Sequence, residues 1–313
     1  MERRPLGKTG VEVSVLGFGA APLGQEYGAL DEVEGIQAVR HAIERGIDFF
    51  DTAPYYGRTQ SEERLGRALT GRRDEVFLAT KCCRYGKRDF DFSAERVARS
   101  IDESLARLRT EYVDLFQVHD VEFGDHRQIV AETLPALRAV QASGKARFIG
   151  ITGLPVHMLR LLAEEFPVDT VLSYTHYDLL VRDLDDVLAP LARETGVGLI
   201  NASALHMGVL TDAGPPPWHP APAEVLEVGR AISQLCRERG RSVVAVALRF
   251  SLDHPDVATT LVGMQTVTEV DQNLAVLATA SDPALLAEID ALVAPVLNRT
   301  WHEGRPANAP PVS

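Results

Sequence analysis

The chain has 313 residues, of which 45% are apolar, and a formal net charge of −12. This length and apolar content argue for a folded core and against disorder, and an acidic surface that repels phosphate backbones argues against nucleic-acid binding. No apolar run reaches the length of a membrane span, and Met1-Glu2-Arg3-Arg4-Pro5-Leu6-Gly7-Lys8-Thr9-Gly10 lacks the apolar stretch of a signal peptide, so a cytoplasmic protein without a membrane partner is expected.

Residues 2–12 read as a small hairpin around Lys8-Thr9-Gly10, placed to cap the floor of whatever follows. Short runs rich in Val, Ile, Leu and Phe then recur at Val13–Phe18, Ile47–Asp51, Val76–Lys81, Val113–His119, Phe148–Ile151, Val168–Ser173, Gly198–Ala202 and Thr259–Val262. These are the candidate strands, and helical periodicity fills the stretches between them. From Ser93 to Arg109, for example, Val97, Ile101, Leu105 and Leu108 fall on one face, with Asp91 or Ser93 as the cap. Gly46, Gly144 and Gly196 sit where helices end.

Repeated strand–helix units with no break in composition predict one α/β domain over 1–313, a (β/α)8 TIM barrel with an N-terminal β-hairpin. The competing doubly wound sheet would be favoured by GxGxxG after the first strand, but Gly17-Phe18-Gly19-Ala20-Ala21 lacks its third glycine. The longest irregular stretch, Met207 to Ala223, has the length of a functional loop. Residues 304–313, rich in proline and small residues, read as a flexible tail.

A barrel collects its chemistry at the C-terminal ends of its strands. Asp51 ends the second predicted strand, Tyr56 follows in Asp51-Thr52-Ala53-Pro54-Tyr55-Tyr56-Gly57, Lys81 ends the third and His119 the fourth. Taken singly, such residues are more often caps, solvated cations or structural histidines. On three consecutive strands they can meet. A phenol has a reference pKa of about 10, and a nearby ammonium favours the phenolate. Lys81, held by Asp51, is therefore expected to lower the Tyr56 pKa, while His119 orients the reacting oxygen and Tyr56 moves the proton beside a hydride carrier. Cys82, Cys83 and Cys236 show no metal-ligand spacing, so no metal site is expected; they read as reduced thiols, with Cys82 or Cys83 flagged as redox-sensitive because both follow Lys81.

Gly17-Phe18-Gly19, Asp51-Thr52-Ala53-Pro54-Tyr55-Tyr56-Gly57, Lys81, His119 and Gly150-Ile151-Thr152 together resemble the aldo-keto reductase superfamily over nearly the whole chain. The resemblance implies an extended nicotinamide cofactor, no metal, and Tyr56 as acid or base. It assigns cofactor contacts to Gly19, Ala20, Asp51, Thr152, Ser173, Ser203, Leu205, Gly208, Gly263, Met264, Gln265, Thr266, Gln272 and Asn273. Lys81-Cys82-Cys83-Arg84-Tyr85, His119-Asp120-Val121-Glu122-Phe123-Gly124 and Gly214-Pro215-Pro216-Pro217-Trp218-His219-Pro220 look like the branch that oxidises C1 of aldoses such as L-galactose or L-fucose to the lactone. Two departures stand out: Thr152-Gly153 replaces the Ser-Asn that holds the carboxamide in many members, and Ala202 replaces the tyrosine that stacks on the nicotinamide.

NADP-preferring members place Lys and Arg near the start of the helix after the eighth strand. Here Gly263-Met264-Gln265-Thr266-Val267-Thr268-Glu269-Val270-Asp271-Gln272-Asn273 has no cation, and Glu269 and Asp271 would repel a 2′-phosphate, so NAD is expected over NADP. Tyr85, Asp120, Trp218 and Trp301, with Tyr56 and His119, are the candidates to contact a sugar, whose C–H face suits aromatic rings. The chain is expected to work as a monomer or weak homo-oligomer. The alternatives are an NADPH-dependent aldehyde and ketone reductase of broad specificity, and a cofactor-binding regulatory subunit.

Overall fold

A computed structural model describes residues 1–309 of the chain. Its strands are β1 (Arg3–Pro5), β2 (Glu12–Ser14), β3 (Leu16–Gly19), β4 (Phe49–Asp51), β5 (Phe77–Cys82), β6 (Arg84–Gly86), β7 (Asp89–Phe90), β8 (Val113–Val118), β9 (Ala146–Gly153), β10 (Thr170–Tyr174), β11 (Gly198–Ala202) and β12 (Val257–Gly263). Eight of them close a barrel in the order β10-β11-β12-β3-β4-β5-β8-β9, with parallel pairing throughout.

The helices are α1 (Glu32–Glu44), α2 (Gln60–Ala68), α3 (Ala94–Leu108), α4 (His126–Gln128), α5 (Leu134–Ala142), α6 (Val156–Glu165), α7 (Leu184–Thr195), α8 (Ala223–Glu238), α9 (Val243–Leu252), α10 (Val267–Val276) and α11 (Pro283–Val293). Among the described residues, no helix is long and apolar enough to cross a membrane.

Strand alternation divides the side chains into two cores. Phe49, Phe77, Leu115, Leu172, Ile200 and Leu261 fill the barrel, where the Phe49 and Phe77 rings stack at 5.0 Å. Phe50, Leu78, Phe116, Ile151, Val171 and Leu199 face the helices. Helix α3 buries the predicted stripe Val97, Ile101, Leu105 and Leu108, and Ser93 caps it by accepting from Arg96 N at 3.3 Å.

The N-terminal hairpin closes the floor. β1 pairs with β2, and fully buried Leu6 joins the inner core. Gly7 lies in the left-handed region (φ +53°), and a Cβ there would come within 2.4 Å of Gly196 O and Gly198 N, so only glycine fits.

Several predicted boundaries shift, two of them for a visible reason. The first predicted strand divides at Val15: Ser14 turns its Oγ onto Leu16 O, so Glu12–Ser14 stays in the hairpin and Leu16–Gly19 enters the barrel. The second strand begins at Phe49 because Asp48 Oδ1 instead accepts from Ser14 N. After β5 the chain forms an unpredicted hairpin, β6–β7, in the loop above Lys81.

The segment read as a flexible tail is in part docked. Arg305 N donates to Glu122 O at 2.9 Å, and Asn308 Nδ2 donates to Glu122 O and Gly124 O at 2.7 and 2.9 Å. These bonds strap 304–308 to the loop after β8. The remainder of that predicted tail, 310–313, lies outside the described residues.

Candidate active site

Asp51, Lys81 and His119 stand on the inward face, directly beyond Phe49, Ala79 and Gln117 on their strands, at the C-terminal mouth. All three are buried. Lys81 Nζ donates to Asp51 Oδ1, to Thr52 O at 2.9 Å and to Tyr56 OH at 3.2 Å. Gln117 Nε2 donates to Asp51 Oδ2 at 3.0 Å. The His119 ring meets the Tyr56 ring edge-on at 5.6 Å. The structure therefore brings the four sequence-predicted residues together.

The electrostatics differ from expectation in one respect. The Tyr56 phenol is pushed well above its ordinary pKa, first by burial and then by the Asp51 and Asp120 carboxylates. The expected lowering by Lys81 does not prevail, because that ammonium is already paired with Asp51 while burial penalises the phenolate. His119 is pushed well below the usual range by burial and by the Lys81 and Arg84 charges, so its imidazole is neutral. Burial raises Asp51, against the opposing charge and hydrogen bond of Lys81 and the hydrogen bond of Gln117. The arrangement offers a neutral phenol backed by an ammonium, with a neutral imidazole alongside. The neutral phenol can give a proton to an oxygen at the mouth, and only after ionising can it take one back.

Around this centre lie Gln117 and Arg84, which the sequence did not single out, and Asp120, a predicted sugar contact. Buried Asp120 (φ +53°) pairs with Arg84, whose guanidinium lies 3.9 Å over the Tyr55 ring. Gln117 was recoverable, since period two puts it on the His119 face. The Arg84–Asp120 pair joins separate loops and leaves no local signal.

Not all predicted contacts reach the mouth. Tyr85 turns outward: Cys83 at φ +76° redirects the chain, Tyr85 OH accepts from Cys83 N at 3.0 Å, and Arg96 lies 3.6 Å over the ring. By alternation Ser173 also faces outward, beside Val171, and Tyr174 is the inward residue at the end of β10. Trp218 is exposed and tilted against Tyr27 at 6.4 Å, whereas Trp301 packs on His206 and His219. Cys82 and Cys83 are buried with Sγ atoms 3.5 Å apart, and burial raises the Cys83 pKa, the opposite of what a reactive thiolate needs.

The predicted cofactor residues Gly19, Ala20, Gly263, Met264, Gln265 and Thr266 follow the ends of β3 and β12, which are register partners at Gly19 and Gly263. Ser203, Leu205 and Gly208 lie in the loop after β11, Thr152 is in β9, and Gln272 and Asn273 are on α10. Gln265 Oε1 is buried without a partner, and Gly263 is exposed at the mouth. An exposed glycine and an unused acceptor on the rim fit the backbone approach and polar contacts of an extended dinucleotide.

The start of α10 is occupied by its own chain. Glu269 Oε2 accepts from Gln265 N at 2.7 Å and Thr266 N at 3.2 Å, and Thr266 Oγ1 accepts from Glu269 N at 3.1 Å. Asp271 behaves differently from the sequence expectation: it pairs with His41 Nε2 of α1 at 2.9 Å and with Arg45, the residue that caps α1, so its charge is compensated. Any repulsion of a phosphate falls to Glu269.

Comparison with known proteins agrees with this geometry. The Aldo/keto reductase family profile matches residues 15–294. The chain is 46% identical to L-galactose dehydrogenase of Arabidopsis thaliana, over 97% of this chain and 98% of that protein. It is 34% identical to D-arabinose 1-dehydrogenase of Saccharomyces cerevisiae, over 77% and 75% of the two chains. The holo form of aldo-keto reductase AKR11C1 from Bacillus halodurans superposes with a TM-score of 0.78 at 27% identity, covering 93% of this chain and 96% of that one. A closed barrel with this site and these relatives makes the chain a member of the aldo-keto reductase family, an oxidoreductase that uses a nicotinamide cofactor.

Proposed function

We propose that the protein is an NAD-dependent aldose 1-dehydrogenase that oxidises a sugar of the L-galactose or L-fucose type at C1 to the lactone. The observation that carries this reading is the 46% identity to an L-galactose dehydrogenase along almost the full length of both chains. A nicotinamide cofactor, held by residues at the ends of β3 and β12, would supply the acceptor for the C1 hydride, two electrons with one hydrogen. Tyr56 takes the proton of the C1 hydroxyl, and the C1–O bond becomes the lactone carbonyl. His119 donates a hydrogen bond to that oxygen. Lys81, fixed by Asp51 and Thr52 O, stabilises the phenolate as Tyr56 accepts and releases protons.

NAD is favoured because Glu269 already takes two backbone N–H groups at the start of α10 and sets a carboxylate where a 2′-phosphate would need cations. Glu269→Arg is therefore expected to improve kcat/KM with NADP by about tenfold or more, from relieved repulsion and added charge. Paired initial rates with NAD and NADP test this; an inherent preference for NADP in the unaltered protein would overturn the assignment.

The sugar pocket is read as lying beside Tyr55 and the Arg84–Asp120 pair, with Trp218, exposed and tilted against Tyr27, at its outer edge. Trp218→Ala is expected to raise KM for the aldose by about three- to tenfold with little change in kcat, because the ring contributes binding surface. An unchanged KM removes Trp218 from the pocket.

One observation favours a second reading. A neutral Tyr56 phenol is ready to protonate a carbonyl oxygen, as an aldehyde or ketone reductase requires. A panel of aldoses with NAD, run beside simple aldehydes with NADPH, separates the two: sugar turnover with NAD supports the dehydrogenase, and turnover confined to aldehydes with NADPH supports the reductase.

A further inference from the structure

Next to the proposed site lies a cluster that the reaction above does not use. Tyr174 closes β10 on the inward face, in line with Leu172. Its register partner on β11 is Ala202, whose methyl leaves the neighbouring part of the mouth open. Tyr174 OH donates to Glu122 Oε1 at 3.1 Å. Glu122 is fully buried, its Oε1 also accepts from Leu154 N at 3.3 Å, and its Oε2 has no partner.

A carboxyl group in that place is costly, and the surrounding chain is shaped to keep it there. Gly153 gives it room, since a Cβ at that position would come within 2.7 Å of Glu122 Oε2. From the other side, Gly304 presses on Glu122 O, while Arg305 N and Asn308 Nδ2 donate to it. Burial and the neighbouring Asp120 carboxylate push the Glu122 carboxyl well above its usual range, favouring the neutral acid. Glu122 follows His119 and Asp120 on the loop after β8, and the His119 ring meets Tyr56 edge-on, so the Tyr174–Glu122 pair stands beside the catalytic group.

We infer that Tyr174 forms the aromatic wall for the nicotinamide ring and that Glu122 is the positioning residue that holds Tyr174 in place. This rests on the reading of the mouth as the nicotinamide site. A flat apolar ring beside small Ala202 offers the surface that an aromatic heterocycle needs. A hydroxyl tied to a buried acid keeps that surface from rotating into the open space. The C-terminal strap, by fixing the Glu122 backbone, extends the support to residue 308.

The test measures dissociation constants for NAD and for ADP-ribose, which lacks the nicotinamide, by titration calorimetry. Tyr174→Ala is expected to weaken NAD by about tenfold and to leave ADP-ribose within about twofold of the unaltered protein. Glu122→Ala is expected to weaken NAD selectively by about threefold, while Glu122→Gln, which keeps the acceptor oxygen, restores it to within about twofold. Equal losses for both ligands would show a general structural role and overturn the inference, as would unchanged NAD affinity in Tyr174→Ala. So would a Tyr174→Ala effect confined to KM for the sugar. If the unaltered protein bound neither ligand, the nicotinamide-site reading itself would fall. Should Glu122→Ala not fold, Glu122→Gln and Tyr174→Ala still decide the matter.

Discussion

Tyr56→Phe is expected to lower turnover by about 10²- to 10⁴-fold while leaving the affinity for the dinucleotide nearly intact. The substitution removes one oxygen and keeps the ring that meets His119 edge-on. The oxygen lost is the atom that Lys81 Nζ approaches at 3.2 Å. Stopped-flow turnover and a binding titration on the same preparation separate the two quantities. Parallel loss of binding and turnover would mean that Tyr56 shapes the site rather than handling a proton. The direction of the Tyr56 shift also sets a pH dependence. A phenol held above its ordinary range is protonated at neutral pH, so the base form needed for oxidation grows as pH rises. The rate of sugar oxidation is therefore expected to increase from neutral toward alkaline pH, while carbonyl reduction, which uses the acid form, stays nearly level over the same interval.

Lys81→Met is expected to remove activity and also to destabilise the fold by about 3–5 kcal/mol, since it strips a buried carboxylate of its counter-ion. Asp51 and Lys81 are both almost wholly inaccessible to solvent, and Gln117 alone is a weak substitute for an ammonium. The loss has a definite pH sign. Burial already raises the Asp51 pKa, and without Lys81 it rises further, so the penalty is present above the ordinary aspartate range and fades as Asp51 takes up a proton in acid. Adding Asp51→Asn to Lys81→Met should recover most of the stability and none of the turnover. Denaturant unfolding of the three proteins at pH 7 and pH 5 checks this; equal stability of Lys81→Met and the unaltered protein at pH 7 would mean that the pair contributes nothing to the fold.

The barrel was legible because strand alternation and helix periodicity are local signals, and each survives in runs such as Val113–His119 and Ser93–Arg109. Asp51, Lys81 and His119 were legible for the same reason: each ends an apolar run on the face that the alternation assigns to the interior. Ser173, assigned through the family resemblance rather than by alternation, falls on the outward face of β10, and the inward Tyr174 was passed over. Tyr85 was misplaced because a left-handed Cys83 turns the chain, and nothing in Lys81-Cys82-Cys83-Arg84-Tyr85 announces that φ. The partners of Asp271 come from α1 and its C-cap, more than two hundred residues earlier, so its charge looked free in the sequence. The direction of the Tyr56 shift depends on burial, which a motif does not reveal. The docking of 304–308 depends on Glu122 carbonyl geometry, and a segment rich in proline and small residues carries no trace of it.

The measurement that tests C1 oxidation most directly uses L-galactose carrying deuterium at C1, with NAD as the acceptor. The account predicts that the label moves to the reduced dinucleotide, with one lactone formed for each NADH equivalent and a slower rate than with unlabelled sugar. Reduced dinucleotide that lacks deuterium, or an oxidised product that keeps the label at C1, would contradict it.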